Sequence, residues 1–184
     1  MDHCHPLRSS RGFSLIQLMV ALAIVGTLTG IGIPSYRYIT NTSRIAGEIN
    51  NLLGDMQFAR FQAIKQGQTI TICSAASPYT GCQTGAATTW NNGWIVFDDV
   101  NGNGTVDTGE SIIRVQQAFT GSDTLTGTLG AVTFNREGFP VALAAAMVAT
   151  LHSSPTNALW TRCLRVGING QVMTGKVSTS AWCT

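Results

Sequence analysis

The chain has 184 residues, 44% of them hydrophobic and 11% charged, with a formal net charge of +2. That length suits one domain with an appendage. The composition fits a membrane-tethered globular protein better than an intrinsically disordered chain, and so small a net charge does not by itself mark a nucleic-acid binder.

The first element is an apolar stretch. From Phe13 to Ile33 there are 21 residues without a charge, and Arg8 and Arg11 lie just ahead of them. In a helix such a segment rises about 30 Å, the thickness of a bilayer's hydrocarbon core. A secretory signal has a shorter apolar region, about 7–15 residues, followed by a small-x-small cleavage site. No such site follows Gly26 to Gly32. Read from composition alone, the stretch is a signal anchor with its N-terminus held in the cytoplasm by Arg8 and Arg11. Pro34-Ser35-Tyr36 then reads as a kink or an interfacial end.

The run Arg11-Gly12-Phe13-Ser14-Leu15-Ile16-Gln17-Leu18-Met19 resembles the prepilin cleavage motif of type IV pilins and type II secretion pseudopilins. The resemblance implies that a prepilin peptidase cuts after Gly12, removes residues 1–12 as a leader and N-methylates Phe13. It also implies that segment 13–36 first anchors the chain in the inner membrane. The same segment then packs with other subunits in the core of a fibre. Pro34 falls where the family's helix commonly bends. Gln17 stands where the family usually has Glu, a carboxylate thought to pair with the N-terminal amine of the neighbouring subunit. Glutamine keeps hydrogen-bonding capacity and loses the charge. Two readings follow: a subunit at or near a fibre tip, with no predecessor to pair with, or a tolerated substitution.

Residues 37–67 are expected to continue as an amphipathic helix. Ile45, Ile49, Leu52, Leu53, Met56, Ala59 and Ala63 recur at three- and four-residue steps and form one apolar face. Arg44, Glu48, Asp55, Arg60 and Lys65 lie mostly elsewhere, and Gly67 fits a C-terminal stop. The remainder, 68–184, reads as a β-rich globular domain. Its expected strands are Gln68–Cys73, Gly93–Asp99, Glu110–Gln117, Ala131–Asn135, Trp160–Ile168 and Gln171–Val177, with Asn169-Gly170 as a hairpin turn between the last two. The alanine-rich Val141–Leu151 reads as a strand or a short helix. A long N-terminal helix followed by strands predicts an α+β fold, with the helix laid on an antiparallel sheet.

Between two of these strands, Asp99 to Glu110 fits the calcium-loop pattern D-x-[DN]-x-[DN]-G-x5-E in full. Asp99, Asn101, Asn103, the Thr105 carbonyl, Asp107 and a bidentate Glu110 would suit Ca²⁺. The flanks read as strands rather than helices, and a long polar hairpin loop has the same composition.

Phe58–Cys73, Trp90–Arg114 and the C-terminal hairpin resemble the GspH/FimT branch of minor pilins and pseudopilins. Together with the prepilin motif, the resemblance covers nearly the whole chain. It implies a periplasmic globular domain, a type IV pilin-like fold and other pilin or pseudopilin subunits as partners. Cys4 would leave with the leader. The four remaining cysteines, Cys73, Cys82, Cys163 and Cys183, are an even number, which favours disulfides in an exported domain. Of the three possible pairings, Cys73–Cys82 and Cys163–Cys183 are expected. A zinc site is disfavoured, because the spacings are wrong and only His152 remains outside the leader.

Nothing in the chain points to catalysis. His3 and His5 lie in the leader, His152 is alone, and no nucleophile elbow, phosphate loop or HExxH occurs. DNA is the competing partner, since some FimT-like proteins use a Gly-Arg-x-Arg motif on the C-terminal hairpin for DNA uptake. The matching positions are Gly170, Gln171, Val172 and Met173, without either arginine. Arg162, Arg165 and Lys176 remain as weak phosphate contacts. The sequence therefore predicts a non-catalytic minor pilin or pseudopilin subunit, with a DNA-binding minor pilin or a type II secretion pseudopilin as alternatives.

Overall fold

A computed structural model describes residues 12–83, 88–177 and 179–183. The expected leader, with Cys4, Arg8, Arg11 and both its histidines, falls outside them except for Gly12. One helix, α1 (Leu15–Gln66), is followed by eight strands: β1 (Ile70–Ser74), β2 (Gly93–Asp98), β3 (Ile112–Gln117), β4 (Thr124–Gly127), β5 (Ala131–Phe134), β6 (Met147–His152), β7 (Arg162–Val166) and β8 (Val172–Lys176). The chain divides into two units, one ending at Thr40 and the other comprising Asn41–Thr184. In the first unit α1 runs through position 34 without a break in helical assignment.

In the second unit the strands make two four-stranded antiparallel sheets, ordered β3-β2-β1-β5 and β4-β6-β7-β8. The sequence suggested a single sheet, because alternation identifies strands but not their pairing. The C-terminal half of α1 supplies the spine of the core. Ile45, Ile49, Leu52, Met56, Ala59 and Ala63 are all buried, and Leu53 packs at the margin. Against them lie Ile70, Ile72, Trp94, Val96 and Phe134 of the first sheet, and Leu125, Met147, Ala149, Leu164 and Val166 of the second. The helix ends as its last residues require. Gly67 adopts φ 70°, and its N–H bonds the Ala63 carbonyl at 3.0 Å, an αL cap that a side chain would strain.

Two details differ from the sequence reading. The alanine run before Met147 is a bent, irregular segment rather than a helix, and the strand begins only at Met147. The charged helix positions, which the sequence placed only off the apolar stripe, also border the sheets. With sheets on both flanks of the apolar stripe, each of four charged residues meets a partner. Asp55 is buried against Trp94 and Arg114. Arg60 donates to the Gly138 carbonyl at 2.9 Å, and Arg44 pairs with the buried Asp123 at 3.0 Å.

Glu48 is the fourth. Its Oε2 and Asp123 Oδ2 are both buried without a donor. Burial, then the Asp123 charge, raise the Glu48 pKa from 4.5 to about 7, with Arg44 opposing. A proton on Glu48 supplies the missing donor. Because the folded pKa exceeds the unfolded one, this stabilisation is complete below pH 4.5 and is lost as pH rises through about 7. Glu48→Gln should therefore flatten the stability change between those two pH values. The expected difference is only about 1 kcal/mol, since Glu48 is half-exposed and solvent screens it. Urea unfolding of both proteins across that window checks it, and parallel pH profiles would refute the assignment.

Candidate functional site

The expected assembly segment begins where the helix does. Ser14 is the N-cap residue: its carbonyl accepts the N–H groups of Gln17 at 3.0 Å and Leu18 at 3.2 Å. Gln17 Oε1 reaches back and accepts the Ser14 backbone N–H at 3.0 Å. This is the return arm of an S-x-x-Q capping box, and it satisfies a donor that a helix start leaves orphaned. The spacing was legible in Ser14-Leu15-Ile16-Gln17, but the sequence reading considered Gln17 only as a substituted glutamate. A glutamate would make the same bond and add charge at the positive end of the helix. Glutamine keeps the bond alone.

From Gly12 to Ile33 every residue whose side chain is described is exposed. Phe13 is 90% accessible and Ile31 76%. An apolar side chain gains roughly 1.5–3 kcal/mol on burial, so this surface calls for lipid or other helices around it. Both of its threonine hydroxyls are satisfied within the helix: Thr27 donates to the Ile24 carbonyl at 2.9 Å and Thr29 to the Val25 carbonyl at 2.8 Å. Internal satisfaction of that kind is what a segment without water needs. By length and composition the helix can cross a membrane.

The cysteines are joined as Cys73–Cys82 and Cys163–Cys183, each with Cα atoms 5.6 Å apart. The first lies on the face of the first sheet away from α1, in a second small core with Ala75, Ile95 and Phe97. The Asp99–Glu110 loop contributes Val106 to the margin of that core.

That loop is closed by its own donors. Asp99, fully buried, accepts the N–H groups of Asn103 at 3.0 Å and Gly104 at 2.9 Å, and the Thr71 hydroxyl at 2.6 Å. Asn101 Oδ1 accepts the Asn103 N–H, and Asn103 Oδ1 accepts the Thr105 N–H and hydroxyl. Asp107 accepts the side-chain amides of Asn101 and Asn103 at 2.8 and 2.7 Å, which hold its carboxyl below the usual value. Glu110 bridges the N–H groups of Val100 and Asp107 at 2.9 Å each. Among the described residues no three Asp, Glu, His or Cys side chains gather closely enough to hold a metal. Of the set expected for calcium, Asp99, Asn101, Asn103, Asp107 and Glu110 accept hydrogen bonds within the hairpin, and Thr105 donates to Asn103. We expect millimolar Ca²⁺ to leave the melting temperature unchanged. A calcium-dependent rise that disappears in Glu110→Ala would establish a site instead.

The three basic residues considered for DNA do not form one surface. Arg162 pairs with Lys176 and Arg165 with Met173 across β7 and β8. Strand alternation places Arg162 and Lys176 on the face toward α1, and Arg165 on the other. Arg162 is only 8% exposed, and its Nη1 donates to the carbonyls of Leu159 and Thr161 at 3.0 and 3.2 Å. The sequence reading took these residues as a region of positive charge, whereas the period-two geometry separates them.

Comparison with known proteins gives three kinds of likeness. The family model described as type II transport protein GspH matches residues 48–170. A fimbrial protein of Pseudomonas aeruginosa is 32% identical over 72 residues, which are 39% of this chain and 45% of that protein. A type IV major alpha-pilin of Moraxella bovis is 41% identical over 46 residues, 23% of this chain and 29% of that one. The chain thus spans less than half the length of these relatives. A crystal structure of the type IV minor pilin FimU of Pseudomonas aeruginosa has the same fold. It aligns with a TM-score of 0.58 at 16% identity, covering 77% of this chain and 95% of that one.

Proposed function

The chain belongs to the GspH family of type II transport proteins, and from that premise we propose that it is a minor pilin or pseudopilin subunit that takes part in assembling or priming a type IV pilus. Its work is packing, not chemistry. The observation that carries this reading is the exposed, uncharged face running from Phe13 to Ile33. Such a surface suits lipid before assembly and neighbouring helices afterwards. The pilus reading takes support from relatives named fimbrial protein and type IV pilin. The type II secretion alternative takes support from the family's own description.

In this reading the chain sits in the inner membrane with its N-terminus in the cytoplasm and its β-rich unit in the periplasm. Two disulfides suit that oxidising compartment. Prepilin peptidase and other pilin subunits are its partners. A DNA-uptake role is less well supported, because Arg162 and Lys176 lie on a different face from Arg165, and Gln171 and Met173 carry no charge.

Processing tests the reading. Intact mass of the protein extracted from membranes should correspond to a chain beginning at Phe13 with one added methyl group. Gly12→Val should abolish that species. A mature chain beginning at Met1, or beyond Ile33, would remove the pilin reading.

A further inference from the structure

The geometry points to a binding site for a phosphate group in the cleft between α1 and the β7–β8 edge. This inference does not rest on the assembly role. The cleft has a volume of about 420 Å³ and is lined by Asn50, Arg162, Thr174, Lys176, Thr179 and Ser180, with Ala46 and Ile49 of the helix as its apolar wall. Among the described residues no carboxylate lines it.

Two positive charges meet here, with no opposing one among the described residues. Arg162 and Lys176 are direct cross-strand partners on the same face, an arrangement that destabilises a sheet when both are cations. Arg162 is also nine-tenths buried, and a guanidinium removed from water needs a counter-charge. Its Nη1 meets only neutral carbonyls, those of Leu159 and Thr161. Among the described residues neither Arg162 nor Lys176 takes part in an ion pair. An anion in the cleft relieves both the repulsion and the missing counter-charge.

The lining selects the kind of anion. Two cations match a doubly charged group better than a single carboxylate. The hydroxyls of Thr174, Thr179 and Ser180 and the Asn50 amide offer neutral donors for the remaining oxygens of a tetrahedron. A concave cleft admits a group that protrudes, such as free phosphate or the headgroup of an anionic phospholipid. The phosphates of duplex DNA lie along a rod and do not enter it.

The test uses the full chain in a neutral detergent. Inorganic phosphate is titrated at constant ionic strength and followed by its phosphorus NMR resonance. Saturable binding at one site is expected. Lys176→Gln should weaken it about tenfold, the loss of one charge-assisted contact. Arg165→Gln, on the opposite face, should leave it unchanged. Lys176 is exposed, so its replacement does not threaten the fold. Arg162→Lys, which keeps the charge and loses the planar fork, should weaken binding as well. Short-chain phosphatidylglycerol is then added to the phosphate-loaded protein: displacement assigns the site to headgroups, and no displacement assigns it to free phosphate. Absence of saturable binding at millimolar phosphate would overturn the inference. Equal losses in Lys176→Gln and Arg165→Gln would overturn it too, since they would mark a diffuse positive field.

Discussion

Asp55→Ala should lower the unfolding free energy by about 2–3 kcal/mol, as expected when a buried donor loses its charged acceptor. Asp55 is 7% exposed, on the part of α1 that faces β2 and β3. One carboxylate oxygen accepts the Trp94 indole N–H at 2.8 Å, and the other pairs with Arg114 Nη1 at 2.5 Å. Arg114 in turn lies 4.1 Å from the centre of the Phe58 ring. One carboxylate thus fixes a buried tryptophan, an arginine and the aromatic ring beneath it. Its removal strands the Trp94 N–H in the core, a loss of about 1–3 kcal/mol by itself. Arg114 would lose its counter-charge but could turn to water, because its side chain is 44% exposed. Asp55→Asn should keep an acceptor for Trp94 and lose the charge, so about half the cost is expected. Urea unfolding of the three proteins measures this. A loss below about 1 kcal/mol in Asp55→Ala would mean that the network is not formed in solution.

Replacing Cys163 and Cys183 together by serine should cost a comparable amount. The bond closes a loop of sequence separation 20, and for such a loop the chain-entropy account gives about 3 kcal/mol. Both cysteines are buried, Cys163 fully and Cys183 to 1% exposure. The bond ties the last described residues to the face of β7 away from α1. Cys73–Cys82 closes a separation of only 9, so its loss should cost slightly less, about 2.5 kcal/mol. Thermal melts of the two double-serine variants, with peptide mapping of the unreduced parent, check both values. Free thiols in exported protein, or crossed pairs, would contradict the pairing.

The sequence was most legible where one periodicity ruled. Ile45 to Ala63 recur at helical spacing because one continuous stripe faces the core, and the buried residues are those of that stripe. Asp55 was not legible in the same way. Its partners lie 39 and 59 residues further on, and helical periodicity carries no information about what a sheet brings to the stripe's border. Strand β4 escaped for a local reason. Thr124–Gly127 is four residues long and contributes one large buried side chain, Leu125, too little for alternation to register. Division into two sheets is a matter of pairing, which no single strand encodes.

The site divides in the same manner. The apolar anchor is written in composition, and its exposure follows directly. Gln17 was noticed for the charge it lacks, yet its bond to Ser14 depends on where the helix begins. For Asp99 to Glu110 the ligand types were legible, but not that backbone N–H groups of the loop itself donate to Asp99 and Glu110. Arg162 reads as a surface cation until β-pairing turns it toward α1 beside Lys176.

We propose that this chain is a structural subunit of a fibre. The most direct measurement is mass spectrometry of fibres sheared from cells that express the chain with its own assembly machinery, alongside the membrane fraction of the same cells. Peptides of this chain, including one that begins at methylated Phe13, should occur in the fibre fraction at a small ratio to the major subunit, and Gly12→Val should remove them. Its presence only in membranes, with Met1 retained and fibres unchanged in number when the gene is deleted, would contradict the account.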